Sequence, residues 1–227
     1  MTLEICVESF EDAKIAAAYG ADRIEYCSAL AVGGLTPTPG ALARIADIAV
    51  PCFVMIRPRP GNFVYCTSEI ETMTREIALA RDAGAQGVVF GASREDGSLD
   101  TDALHLLCDA AAGMAKTLHR AFDVTPDAFV ALETAVDLGF DRILTSGQQN
   151  TAEEGCALIA DLIARAAGRI IILPGSGVSA ANARTLRAKT GASQLHASCK
   201  HKAKPGEEGR VATDARAVRA LRRAMDH

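Results

Sequence analysis

Four segments of the chain repeat one local grammar, in which a helical run stops at a glycine and a strand pattern follows. They read AYGADRIEYC, DAGAQGVVF, DLGFDRILTS and KTGASQLHAS. Gly20, Gly84, Gly139 and Gly191 each stand where a helix C-terminus takes a left-handed residue. Successive glycines are 64, 55 and 52 residues apart. A single βα unit cannot fill such an interval, whereas two can.

The intervening strands are present. LEICV opens the chain, CFVMIR starts at Cys52, AKTLHR leads to His119, and RIIILPG starts at Arg169. Each is followed by an amphipathic helical pattern: TSEIETMTREIALARDAG puts Ile70, Met73, Ile77 and Ala80 on one face. Ser9 with Asp12 reads as a capping box, and Ser179 as the cap of AANARTLRAK. Eight strands alternating with helices, closed by DARAVRALRRAM, predict an α/β chain folded as a single (β/α)8 TIM barrel over residues 1–227. An open doubly wound sheet fits less well, because no GxGxxG follows the first strand. The segment from Lys200 to Arg210 reads as a mobile polar connection.

Composition narrows the function classes. A formal charge of −4 argues against nucleic-acid or acidic-membrane partners, and no apolar run reaches the length of a membrane span. MTLEICVESF enters a strand pattern with no basic leader before it. Seven scattered cysteines without a CxxC fit free thiols in a reducing cytoplasm.

In a barrel the chemistry belongs at the C-terminal ends of the strands. Side-chain alternation puts Glu4, Cys6 and Glu8 on one parity of strand one, and Glu25 with Cys27 on one parity of strand two. Leu3, Ile5, Val7, Ile24 and Tyr26 take the opposite parity, beneath the helices, so the polar set faces the barrel interior. The later strand ends carry Met55 and Arg57, His119 and Arg120, Thr145 and Ser146, and His196 and Ser198. Buried glutamates need partners, and Arg57, Arg120 and His119 are the available cations. One reading is therefore a buried ion-pair network. The other is a pocket for a small anionic, possibly phosphorylated substrate, worked by proton transfer or hydrolysis. There His119 acts as general base, Arg57 and Arg120 grip the anion, Glu25 orients or relays, and Asp123 caps or orients. Gly175 and Gly177 precede a helix and suit an anion loop, with Ser146, Gln148 and Gln149 as donors nearby; a tight turn explains the glycines equally well.

Cys6 and Cys27 lie at matching depths on adjacent strands and are candidate soft ligands for Cu(I), with Met55 in support. The alternative is that both are small buried hydrophobes. HASCKH adds His196, Cys199 and His201 without a standard metal spacing. Leu30, Val32 and Leu35 are apolar in a loop, which hints at a covered surface.

LEICVES, GADRIEYCSALAVGGLTP, PCFVMIRPRPGNFVY, GVVFG, TLHRAFD, DRILTSGQQ and LPGSGV together resemble the CutC copper homeostasis protein family, from Leu3 to about Ser198. The resemblance implies a TIM barrel, a cytoplasmic setting, a homodimer and copper handling through Cu(I), with Cys6 and Cys27 at the family's candidate ligand positions. The chain departs from the family pattern at Tyr26, Pro60, Asn62 and Ser176, the last within the expected anion loop. Cu(I) binding and small-anion enzymology both fit the sequence.

Overall fold

The computed structural model describes residues 1–201 and 212–226. Eight parallel strands alternate with helices in a (β/α)8 barrel. The strands are β1 Thr2–Val7, β2 Arg23–Tyr26, β3 Cys52–Met55, β4 Gly87–Phe90, β5 Ala115–Leu118, β6 Arg142–Thr145, β7 Ile171–Pro174 and β8 Gln194–Ala197. The helices are α1 Phe10–Tyr19, α2 Pro39–Leu42, α3 Thr67–Asp82, α4 Thr101–Ala110, α5 Ala128–Asp137, α6 Cys156–Ala166, α7 Ala183–Thr190 and α8 Ala215–Asp226. The hydrogen-bonded order runs β7-β6-β5-β4-β3-β2-β1-β8, and β7 packs beside β8 to bring the sheet round to near closure.

The helix-stop glycines behave as the pattern predicts: Gly139 and Gly191 have φ of +73° and +74°, which costs a side-chain-bearing residue strain. Ser9 caps α1 by accepting from the Asp12 amide at 3.1 Å and returning a 2.6 Å bond to its carboxylate. Ile70, Met73, Ile77 and Ala80 form the buried face of α3, each larger side chain contributing roughly 1.5–3 kcal/mol by burial. Two expectations fail locally. The chain after β2 makes only the four-residue α2 and two 3-10 turns, because Gly33, Gly34, Pro37, Pro39 and Gly40 interrupt any longer helix. Ser179 does not cap α7; Asn182 stands at the cap and folds back to accept from the Ser179 amide at 2.9 Å. The predicted mobile connection from Lys200 to Arg210 falls, beyond His201, outside the described residues.

The two parities separate as read. Leu3, Ile5, Val7, Ile24 and Tyr26 belong to the large core between strands and helices, while Cys27, Phe53, Met55 and Val89 form a second cluster inside the barrel. Lower in the barrel, the Arg23 and Arg142 guanidinium groups lie 5.0 and 4.9 Å from the Phe53 ring. Gly87 makes room for that ring, since a Cβ there would come within 2.8 Å of it.

Candidate functional site

A cavity of about 530 Å³ opens at the C-terminal mouth of the barrel. Cys6, Glu25, Met55 and His196 line it from the strands, with Arg57, His119, Arg120, Asp123 and Gly177 among the residues around them.

The side of the cavity on β1, β2 and β8 is set by register. Cys6 is paired with Glu25, and Glu4 with both Arg23 and His196. Glu4 is fully buried and has two partners: one oxygen meets His196 Nδ1 at 2.7 Å, the other the Arg23 guanidinium. Arg23 in turn donates to Gln194 Oε1 at 2.8 Å. Burial works to raise the Glu4 carboxyl, but the His196 and Arg23 bonds and charges outweigh it and hold its pKa down to about 2. Burial opposes the His196 cation, yet Cys6, Glu25 and Glu4 around the ring push its pKa well above the usual imidazole range. In contrast to Glu4, Glu25 is raised, chiefly by burial. Arg23 and His196 therefore neutralise Glu4, in place of the expected Arg57, Arg120 and His119.

Cys27 does not line the cavity. It lies buried beneath Gly34 and Leu30, with its thiol 3.5 Å from Glu25 Oε2, and burial pushes its pKa well above that of a free thiol. Cys6, Glu25 and His196 instead bring a sulfur, a carboxylate oxygen and a ring nitrogen within 4.8 Å of one another. Such a set fits a transition-metal ion. Cys199 packs against the outer core, and neither it nor His201 belongs to this group.

His119 sits on β5's end with its ring against Gly91, where a Cβ would come within 2.6 Å, and 4.6 Å from the Phe63 ring. Its Nδ1 accepts the Ala121 amide at 3.1 Å, which leaves the proton of the neutral ring on Nε2. Burial, with Arg57 nearby, lowers its pKa to about 3. The residue expected as a general base is thus held as a neutral donor. Arg57 donates to the carbonyls of Val32, Gly34 and Gly61 at 2.9, 3.2 and 2.9 Å, tying two mouth loops together.

Arg120, Asp123 and Ser146 organise a loop. Asp123 accepts from Arg120 Nε at 2.7 Å, from the Ser146 amide at 3.0 Å and the Gln148 amide at 3.2 Å, and from the Thr145 hydroxyl. Arg120 also donates to Ser146 Oγ at 2.9 Å, and Ser146 is fully buried. Gly175 has a packing reason to lack a side chain, since a Cβ would come within 2.6 Å of Leu144. Ser176 has φ of +73° and donates its hydroxyl to the Asn150 carbonyl at 2.7 Å.

The CutC family's sequence profile matches residues 1–201. The chain belongs to the CutC family. A CutC family protein of Sinorhizobium medicae is 47% identical over 235 residues, covering 99% of this chain and 96% of its own. The human copper homeostasis protein cutC homolog is 45% identical over 199 residues, covering 87% of this chain and 73% of its own. A solved structure of CutC from Streptococcus agalactiae superposes with a TM-score of 0.83 at 34% identity, covering 87% of this chain and 98% of that one. No helix among the described residues of this CutC chain is long and apolar enough to cross a membrane.

The strand-end reading anticipated the mouth but not the association of Cys6, Glu25 and His196. Cys6 and Glu25 share the inward parity and His196 stands at a strand end, but only closure sets β8 beside β1 and brings the three together. Arg23 opens β2 rather than ending it, so its place in the sequence does not point to the mouth.

Proposed function

We propose that this chain serves copper homeostasis by holding Cu(I) in the mouth cavity, with Cys6 as first ligand and Cys27 as the second thiol. The supporting observation is that both cysteines flank Glu25: Cys6 is its register partner, and Cys27 bonds its carboxylate at 3.5 Å. Thiolates in low coordination are what Cu(I) prefers. Cys27 lies under the loop carrying Gly34, so it joins after Cys6 has taken the ion. A reducing cytoplasm and a homodimer belong to the same reading, the first supported by seven free thiols and the second by family likeness. The test is Cu(I) competition against a strong chelator. Tight one-to-one binding that Cys6→Ser abolishes and Cys27→Ser weakens supports the reading; binding indifferent to both thiols defeats it.

A second reading rests on the cavity's size. About 530 Å³ is far more than a bare ion occupies and lies in the range of small-molecule pockets. In it the chain is an enzyme for a small anionic substrate. His119 polarises the substrate, Glu25 relays a proton, and Arg57 supplies positive charge. Arg120, Asp123 and Ser146 shape the rim beside the Gly175–Gly177 turn. Thermal shifts with phosphate and pyruvate, compared between the wild type and His119→Asn, test it; no shift with either anion counts against it.

A further inference from the structure

Three potential ligand atoms converge on the cavity from neighbouring strands: Cys6 Sγ, a Glu25 carboxylate oxygen and a His196 ring nitrogen, all within 4.8 Å of one another and all in buried residues. Two independent features point to an ion among them. Glu25 is 2% exposed, and its Oε1 has no hydrogen-bond partner among the described residues, a costly state for a buried carboxyl group. His196 is already oriented as a ligand. Its Nδ1 is engaged by Glu4 at 2.7 Å, while Nε2 faces Glu25 Oε2 at 3.8 Å. A carboxylate behind the far nitrogen is the usual way a ligand histidine is fixed in orientation. Donors about 2.0–2.3 Å from a shared tetrahedral ion stand roughly 3.3–3.8 Å apart, so an ion would draw together donors that now lie within 4.8 Å of one another.

The donor types discriminate between ions. One sulfur, one imidazole and one carboxylate make a poor set for Cu(I), which gains little from the oxygen, and a good set for a borderline divalent ion. Charge agrees: a thiolate and the Glu25 carboxylate balance a divalent ion, while Glu4 and Arg23 balance each other. Three protein ligands leave a fourth position, and all three residues line the cavity. Structural zinc sites use four protein ligands, whereas three with one position open is the reactive pattern.

We propose that Cys6, Glu25 and His196 form a three-ligand site for a divalent ion of the zinc class, whose open fourth position faces the mouth cavity and takes an exchangeable small anion. Arg57 lines the same cavity and favours negative charge there. The proposal shares Cys6 with the copper reading but does not need Cys27, so the two fail separately.

Cobalt(II) is the probe, titrated into the reduced, metal-stripped full chain. The expected result is one equivalent bound, with a near-ultraviolet sulfur-to-cobalt band and the strong visible bands of a four-coordinate centre. Azide shifts the visible bands by occupying the open position. Cys6→Ser removes the sulfur band whereas Cys27→Ser keeps it, and Glu25→Gln and His196→Gln each weaken binding at least tenfold. Melting curves establish that each variant is folded; if His196→Gln is not, Glu25→Gln carries the comparison. Loss of the sulfur band in Cys27→Ser as complete as in Cys6→Ser overturns the proposal, because the ion then sits between the thiols. Weak six-coordinate spectra indifferent to Glu25→Gln, or no response to azide, overturn it as well. Cobalt binding as expected alongside weak Cu(I) binding would retain this site and remove the copper reading.

Discussion

Glu4 of the first strand and His196 of the last meet at 2.7 Å inside the barrel, with Arg23 on the other carboxylate oxygen. This contact joins the first and last strands of the barrel, and His196 also lines the mouth cavity. Removing one member of a buried pair leaves its partner's charge unmatched, which costs about 3–5 kcal/mol, whereas replacing both with apolar groups of similar volume is much cheaper. Glu4→Gln is therefore expected to destabilise the fold by about 3 kcal/mol in urea unfolding, and Glu4→Leu with Arg23→Met by clearly less. Equal losses in the single and double variants would mean that the pair's charge is not what matters.

His119 makes stability depend on pH. Its folded pKa, about 3, lies below its ordinary value, so the unfolded chain binds the extra proton first. The contribution is fully present above about pH 6.5 and is lost as pH falls from there toward 3, at about 1.4 kcal/mol per pH unit for one proton. His119→Asn keeps an acceptor for the Ala121 amide and removes the titrating ring. Unfolding free energies between pH 7 and 5 should fall less steeply for the variant than for the wild type; parallel curves would contradict the burial of a neutral ring.

Gly87 tests the packing low in the barrel. A Cβ there meets both the Phe53 ring and the Ala115 carbonyl at 2.8 Å, and the carbonyl belongs to the adjacent strand. Gly87→Ala is expected to cost about 1–3 kcal/mol through overpacking. A neutral result in chemical denaturation would show that Phe53 is not wedged between Arg23 and Arg142.

Arg57 ties the loop of Val32 and Gly34 to Gly61. Arg57→Met removes these donors and should raise amide hydrogen exchange in residues 30–36 and 59–63 at least tenfold, leaving β1 and β8 unchanged. Uniform acceleration through the barrel would instead mean a general loss of stability.

The barrel was legible because helix-stop glycines and alternating strand parities are local signals, and local chemistry decides them. The inward set of Glu4, Cys6 and Glu25 was legible for the same reason. What could not be read was which inward residue meets which, because Glu4 and His196 are 192 positions apart and join only through ring closure. The strand-five cluster shows a second limit. Their place at a strand end marks His119, Arg120 and Asp123 as reactive, but the hydrogen bonds of Asp123 to Thr145, Ser146 and Gln148 make it a clamp on the β6 loop. Residue type indicates what a group can do, whereas the number of partners it already has decides what it is free to do.

The most direct test of a metal-binding mouth is anomalous diffraction from crystals of the reduced chain loaded with Cu(I) and, separately, with zinc. The predicted result is a peak beside Cys6 Sγ inside the cavity for each ion, bordered by Cys27 for copper and by Glu25 and His196 for zinc. Peaks confined to exposed positions such as Cys66, with nothing beside Cys6, would contradict it.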